Sequence, residues 1–218
     1  MPALRGETVL EMKASMVVHL HHDDLPCDLD FGDSVAIDTE TMGLNPHRDR
    51  LCVVQLSAGD GNAHLVKFSQ SKKPCPNLEQ LLTDQVITKL FHFARFDIAV
   101  LNHHITQIGG PIYCTKIASK LCRTYTDRHG LRDLCRELLG IEISKQQQSS
   151  DWGADELTEE QQAYAAGDVL YLHRIRAKLD TMLVRENRDS LAADCFAFLR
   201  TRTQLDLDGF ADTDIFHH

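Results

Sequence analysis

Five side chains in this sequence could do chemistry together. Asp38 and Glu40 lie two residues apart in VAIDTE. If that run is a strand, alternation puts both on one face, and among Val, Ala and Ile two carboxylates are costly unless a cation neutralises them. Tyr164 and Asp168 lie four apart in AYAAGDVLYLH, a spacing that stacks them on one helix face. Asp97, in HFARFDIAVL, follows an apolar run near a helix start, where the helix dipole favours a carboxylate anyway. Each feature alone has a plain structural reading: a solvated strand end, a Tyr–Asp hydrogen bond in a helix interface, and a helix-start acid. Together they make an all-oxygen set suited to Mg²⁺ or Mn²⁺, with no Cys/His cluster competing for a softer metal. Four carboxylates and a phenol could hold two such ions about 4 Å apart, an arrangement that performs in-line attack on phosphodiesters.

The elements that must position these groups read as α/β. VAIDTE, LCVVQLSA, AHLVKF, ITKLFHF and the short IYCT are strand-like, with turn residues in NPHRDR and AGDGN. NLEQLLTD, ARFDIAVLNHH, KIASKLCR and LRDLCRELLG are helical. A long helix is predicted from Thr158 to about Asn187, opened by a Thr158–Gln161 capping box, and a last one covers roughly 188–201. Strands filling the first half and helices the second predict a mixed five-stranded sheet flanked by helices. No repeat or low-complexity stretch divides the chain. Residues 1–15 read as a loose extension, with Met16 a possible alternative start, and residues 16–218 as one domain.

Composition narrows the classes. The 218 residues carry 23 Lys plus Arg against 32 Asp plus Glu, a net charge of -9. Proteins that hold long nucleic acid by its backbone usually carry a basic surplus, so any nucleic-acid substrate is expected to be short, or gripped by metals and a few local cations. No apolar run approaches the ~20 residues of a membrane span, and the N-terminus lacks the apolar block of a signal peptide. Seven cysteines without a CxxC pair argue against a disulfide framework or a zinc knuckle. These features predict a cytoplasmic protein with no membrane partner.

In their order and approximate spacing, the DxE, FD and YxxxD motifs resemble those of the DEDDy exonucleases of the ribonuclease-H-like superfamily. AIDTETMGLNPHRDRLCVVQLS, FHFARFDIAVL, CTKIASKL, RTYTDRHGL, SKQQQSSDW, YAAGDVLYLHR and TQLDLDGFADTDIF are similar to the small ribonuclease D-like nanoRNase C family of bacteria. The similarity runs from about Met16 to Phe216. It departs at Gly167, where a small Ser or Ala is expected. The resemblance implies a two-metal 3′–5′ exoribonuclease acting on short RNA. Its preferred substrates would be 5′-phosphorylated dinucleotides, including linear products of cyclic dinucleotide turnover, and its products nucleoside 5′-monophosphates. It implies that Asp38, Glu40 and Asp168 bind one cation, that Asp38 and Asp97 bind a second, and that Tyr164 orients the attacking water. It also implies that Leu44 wedges between the last two bases, where the plain alternative is a core leucine capping the sheet, and that the chains form a homo-octamer. His92, Arg95, Arg128 and His129 are the candidates to meet the substrate's 5′ end. The other readings are a ribonuclease D-type trimmer of structured RNA, disfavoured by the chain's ending about 50 residues past Asp168, a DNA proofreading exonuclease, and a non-catalytic scaffold that binds RNA or protein.

Overall fold

In a computed structural model, residues 16–217 are described apart from Lys72 and Lys145; the extension predicted over residues 1–15 lies outside them. Six strands form one sheet: β1 Val17–His22, β2 Ser34–Thr41, β3 Leu51–Ser57, β4 Asn62–Lys67, β5 Thr88–Phe91 and β6 Ile112–Cys114. Their order is β1-β4-β3-β2-β5-β6. β2, β3 and β4 are antiparallel neighbours, while β5 and β6 extend the sheet in parallel from β2. The α/β reading and the mixed sheet hold, but the strand count among the described residues is six. The added strand is β1, which pairs in parallel with β4 along the sheet edge. His19, His21 and His64 stack there, with ring centroids 4.8 to 6.5 Å apart. His21 and His22 therefore belong to the sheet edge, with His22 exposed.

The helices are α1 Pro76–Thr83, α2 Ala94–His104, α3 Thr115–Cys122, α4 Leu131–Leu134 running into a π turn at Cys135–Leu139, α5 Glu159–Leu170, α6 Leu172–Arg185, and α7 Asp189–Leu205 running into a second π turn. The single long helix predicted from Thr158 is two helices, broken at Tyr171. The capping box is present: the Gln161 N–H donates to Thr158 Oγ1 (3.2 Å) and the Thr158 N–H to Gln161 Oε1 (2.9 Å). β3 is buried along its whole length, as expected of a strand covered on both faces. α5 packs across β1 to β4 on one face, and α2, α3, α6 and α7 pack together about β5 and β6. Among the described residues no helix is long and apolar enough to cross a membrane.

Candidate active site

The end of β2 fixes the first two carboxylates. Asp38 and Glu40 point to one face and Thr39 to the other. The ladder with β3 shifts register between Glu40 and Thr41, so the strand bends away into the turn that carries Met42, Gly43 and Leu44. Such irregularities commonly sit beside active sites, where they re-aim side chains. α5 crosses this face and brings Asp168 over the strand: one oxygen each from Asp38, Glu40 and Asp168 lies within 4.8 Å of the others. Asp97, in the first turn of α2, is buried and accepts a hydrogen bond from Thr39 Oγ1 (2.8 Å). Thr39 thus ties the fourth carboxylate to the strand that carries the first two. α2 opens after Phe93, whose left-handed backbone (φ 72°) is strained for an aromatic residue.

A cleft of about 720 Å³ holds all four carboxylates with Tyr164, Leu44, His92 and Trp152. The electrostatics are those of a site short of positive charge. Burial raises the Asp38 carboxyl to about 7. Burial, then Asp38, Asp168 and Asp97, raise Glu40 to about 10. Asp168 and Asp97 are likewise raised, by burial and then by Asp38. None of the four makes an ion pair among the described residues. Converging hard oxygen donors without an internal counter-cation fit Mg²⁺ or Mn²⁺. Burial, then Asp168, Glu40 and Asp38, push the Tyr164 phenol well above its usual value, so it is neutral at physiological pH.

The loop before α5 braces the tyrosine. The Trp152 ring lies 6.0 Å from that of Tyr164. Lys67 Nζ donates to the Trp152 carbonyl (3.1 Å) and Arg50 Nη2 to that of Gly153 (2.9 Å). Gln161, besides capping α5, donates through Nε2 to Ser150 Oγ and to the Asp151 carbonyl.

The structure brings together the five residues singled out for chemistry, but it treats the predicted substrate contacts unevenly. Leu44 is 83% exposed beside Glu40, which excludes a core role. His92 lines the cleft, yet burial and then Lys116 lower it to about 3. It is therefore neutral and not a cation, and Nδ1 lies 2.8 Å from Thr115 Oγ1. Arg95 is engaged elsewhere: it donates twice to Asp206 (2.5 and 2.7 Å) along a neighbouring groove. Arg128 and His129 do not line the cleft. The Arg128 carbonyl accepts from Arg123, and His129 Nδ1 lies 2.8 Å from Ser119 Oγ. Among the described residues the cations in the cleft wall are Lys116 and Arg132, neither of which sequence reasoning named. Lys116 sits 4.2 Å above the Phe93 ring. Trp152 was also missed, although the polar loop ending in SDWG offered its one tryptophan as a signal.

Residues 21–184 match the family described as 3′–5′ exonuclease. The chain is 57% identical to Brucella melitensis NrnC bound to pGG, with a TM-score of 0.90 covering 94% of this chain and 100% of that one. Brucella melitensis NrnC with bound Mg²⁺ is 56% identical, with a TM-score of 0.88 over 93% of this chain and 100% of that one. Ribonuclease D of Acidiphilium cryptum is 32% identical over 165 residues, covering 76% of this chain and 42% of the relative. The chain spans about two fifths of the length of the curated relatives it matches.

Proposed function

The chain belongs to the 3′–5′ exonuclease family, in its NrnC-like, ribonuclease D-related branch, and from that we propose that it is an exoribonuclease removing nucleotides from the 3′ end of short RNA. The preferred substrates in this reading are dinucleotides with a 5′ phosphate, including linear products of cyclic dinucleotide turnover. The products are nucleoside 5′-monophosphates. The observation that carries the reading is the convergence of Asp38, Glu40 and Asp168 within 4.8 Å, with Asp97 and Tyr164 in the same cleft. The Brucella relative bound to pGG supports the short substrate, and the one with Mg²⁺ supports the metal.

In this reading Asp38, Glu40 and Asp168 would hold one divalent cation, Mg²⁺ or Mn²⁺, and Asp38 with Asp97 a second. Bound there, such ions lower the pKa of water and neutralise charge developing on the phosphate. The side chains do the rest. Tyr164, neutral and braced by Trp152, orients the attacking water and does not act as its base. Leu44, standing free beyond β2, slides between the two bases. Lys116 and Arg132 oppose the phosphate charge from the cleft wall. Attack on phosphorus breaks its bond to the 3′ oxygen and frees the terminal nucleotide with its 5′ phosphate.

The length preference rests on the net charge of -9, which gives no long-range pull on an extended RNA backbone. The test is competition between a labelled 5′-phosphorylated dinucleotide and a heptamer at equal concentration, with Mg²⁺ and with EDTA. The dinucleotide should be consumed faster, and only with the metal. A heptamer degraded to monomers as fast, without dinucleotides persisting, would make the protein a general trimmer of the ribonuclease D type. No turnover of either would leave the non-catalytic scaffold.

The assembly in this reading is a closed homo-octamer, the form implied for this branch. Exposed Val184, Leu191 and Phe198 on α6 and α7, with Phe210 and Phe216 beyond them, offer apolar surface for such contacts. A monomer in light scattering at micromolar concentration would overturn it. A cytoplasmic setting accords with the absence of a disulfide among the described residues.

A further inference from the structure

Among the described residues, one buried side chain next to the cleft has both of its polar atoms unpaired. Gln55, in the middle of β3, is completely buried, and neither its amide nitrogen nor its amide oxygen has a hydrogen-bond partner. Orphaned polar atoms in a core are rare, and each calls for a physical reason. The neighbourhood is apolar on one side: Gln55 faces Leu65 of β4 across the ladder, and the cluster beneath α5 contains Val53, Leu65 and Ala165. On its other side the cross-strand partner of Gln55 is Asp38.

Residues directly opposite in an antiparallel pair project to the same face, with Cβ atoms about 5 Å apart. A glutamine side chain is long enough to span that gap. It also has what Asp38 lacks, since an ionised carboxylate only accepts hydrogen bonds and the amide offers two N–H donors. An apolar residue at position 55 would fill the same space without the desolvation cost of an unmatched amide.

We infer that Gln55 is a positioning residue for Asp38: in the cation-loaded site its amide N–H donates to the Asp38 carboxylate, fixing the rotamer that presents the other oxygen to the cleft. This rests on the proposed reading of Asp38 as a metal ligand. Partners that orient metal ligands in this way typically change metal affinity by roughly 10- to 100-fold when removed.

The experiment compares the full chain with Gln55→Met, Gln55→Leu and Asp38→Asn by calorimetric titration of Mg²⁺, with melting temperature in EDTA as the second readout. Met keeps length and volume without the amide. Leu is the alternative if Met packs poorly. Both Gln55 variants are expected to bind Mg²⁺ at least about tenfold more weakly while melting in EDTA at or above the temperature of the unmodified chain. A purely structural glutamine gives the opposite pattern, a lower melting temperature with Mg²⁺ affinity within twofold of the original, and overturns the inference. If the unmodified chain and Asp38→Asn bind Mg²⁺ alike, the metal reading of Asp38 fails and takes the inference with it.

Discussion

The aspartates of the cleft and Asp206 at the end of α7 show what surroundings do to the same side chain. Asp206 sits between Arg95 and Arg202, which donate to it at distances from 2.5 to 3.1 Å. Burial pushes its carboxyl up, but the hydrogen bonds from the two arginines outweigh that and hold it below the ordinary range. In the cleft the same burial acts on Asp38, Asp97 and Asp168, none of which pairs with an arginine among the described residues, and their carboxyls rise. The fold neutralises one group from within and leaves the other for a cation from outside. A stabilising aspartate and one destabilising in the absence of metal can thus be told apart by their neighbours alone.

The comparison breaks most sharply if the cleft acids prove dispensable. Asp38→Ala or Asp168→Ala should lower hydrolysis by about 10² to 10³ or more, measured with a dinucleotide and Mg²⁺. A rate above a tenth of the original would end the assignment. The same variants should melt at a higher temperature in EDTA, since they remove unpaired buried charge. Tyr164→Phe is next, with turnover expected to fall on the order of 10² and KM largely kept. Unchanged turnover would make the tyrosine a packing residue.

Titration sharpens the contrast, because the two groups act with opposite sign. A carboxyl whose folded pKa is raised stabilises below its unfolded value near 4 and loses that contribution as pH rises through the folded value. With Asp38 at about 7 and Glu40 at about 10, melting temperature in EDTA should fall between about pH 5 and 9, and saturating Mg²⁺ should reverse the fall. Asp206, held low, contributes above the ordinary carboxylate range and loses it only in acid. Asp206→Asn should therefore cost about 1–3 kcal/mol at neutral pH, read as a melting temperature lower by several degrees with or without Mg²⁺. The smallest effect concerns Gly167, beside Asp168, where an added Cβ would meet nothing within 4 Å. Gly167→Ala should stabilise by about 0.5–1 kcal/mol, visible as a small rise in melting temperature.

The cleft acids were legible in the sequence because their spacing is local. DxE alternation and the i, i+4 pair are each written within five residues, and the capping box within four. What joins Asp97 to them is a hydrogen bond from Thr39 across 58 positions, which no local pattern reports. The same limit explains Arg95. Its neighbourhood to Asp97 in sequence suggests a substrate contact, but its partner Asp206 lies 111 positions on. β1 was missed because VVHLHH alternates weakly and its polar residues are histidines, which read as surface. The break at Tyr171 interrupts a run that stays helical in composition on both sides, so only packing reveals it.

The parallel pairing of β1 with β4 also sets an order of events. β2, β3 and β4 can pair as their short connections close, but Val17 meets Asn62 only about 45 residues later, and a parallel partner cannot be reached by a tight turn. On a growing chain β1 emerges first and must wait for β4 before it can join the sheet. Made before its partner, β1 is placed only once β4 is present, so its amides should gain protection from hydrogen exchange after those of β3.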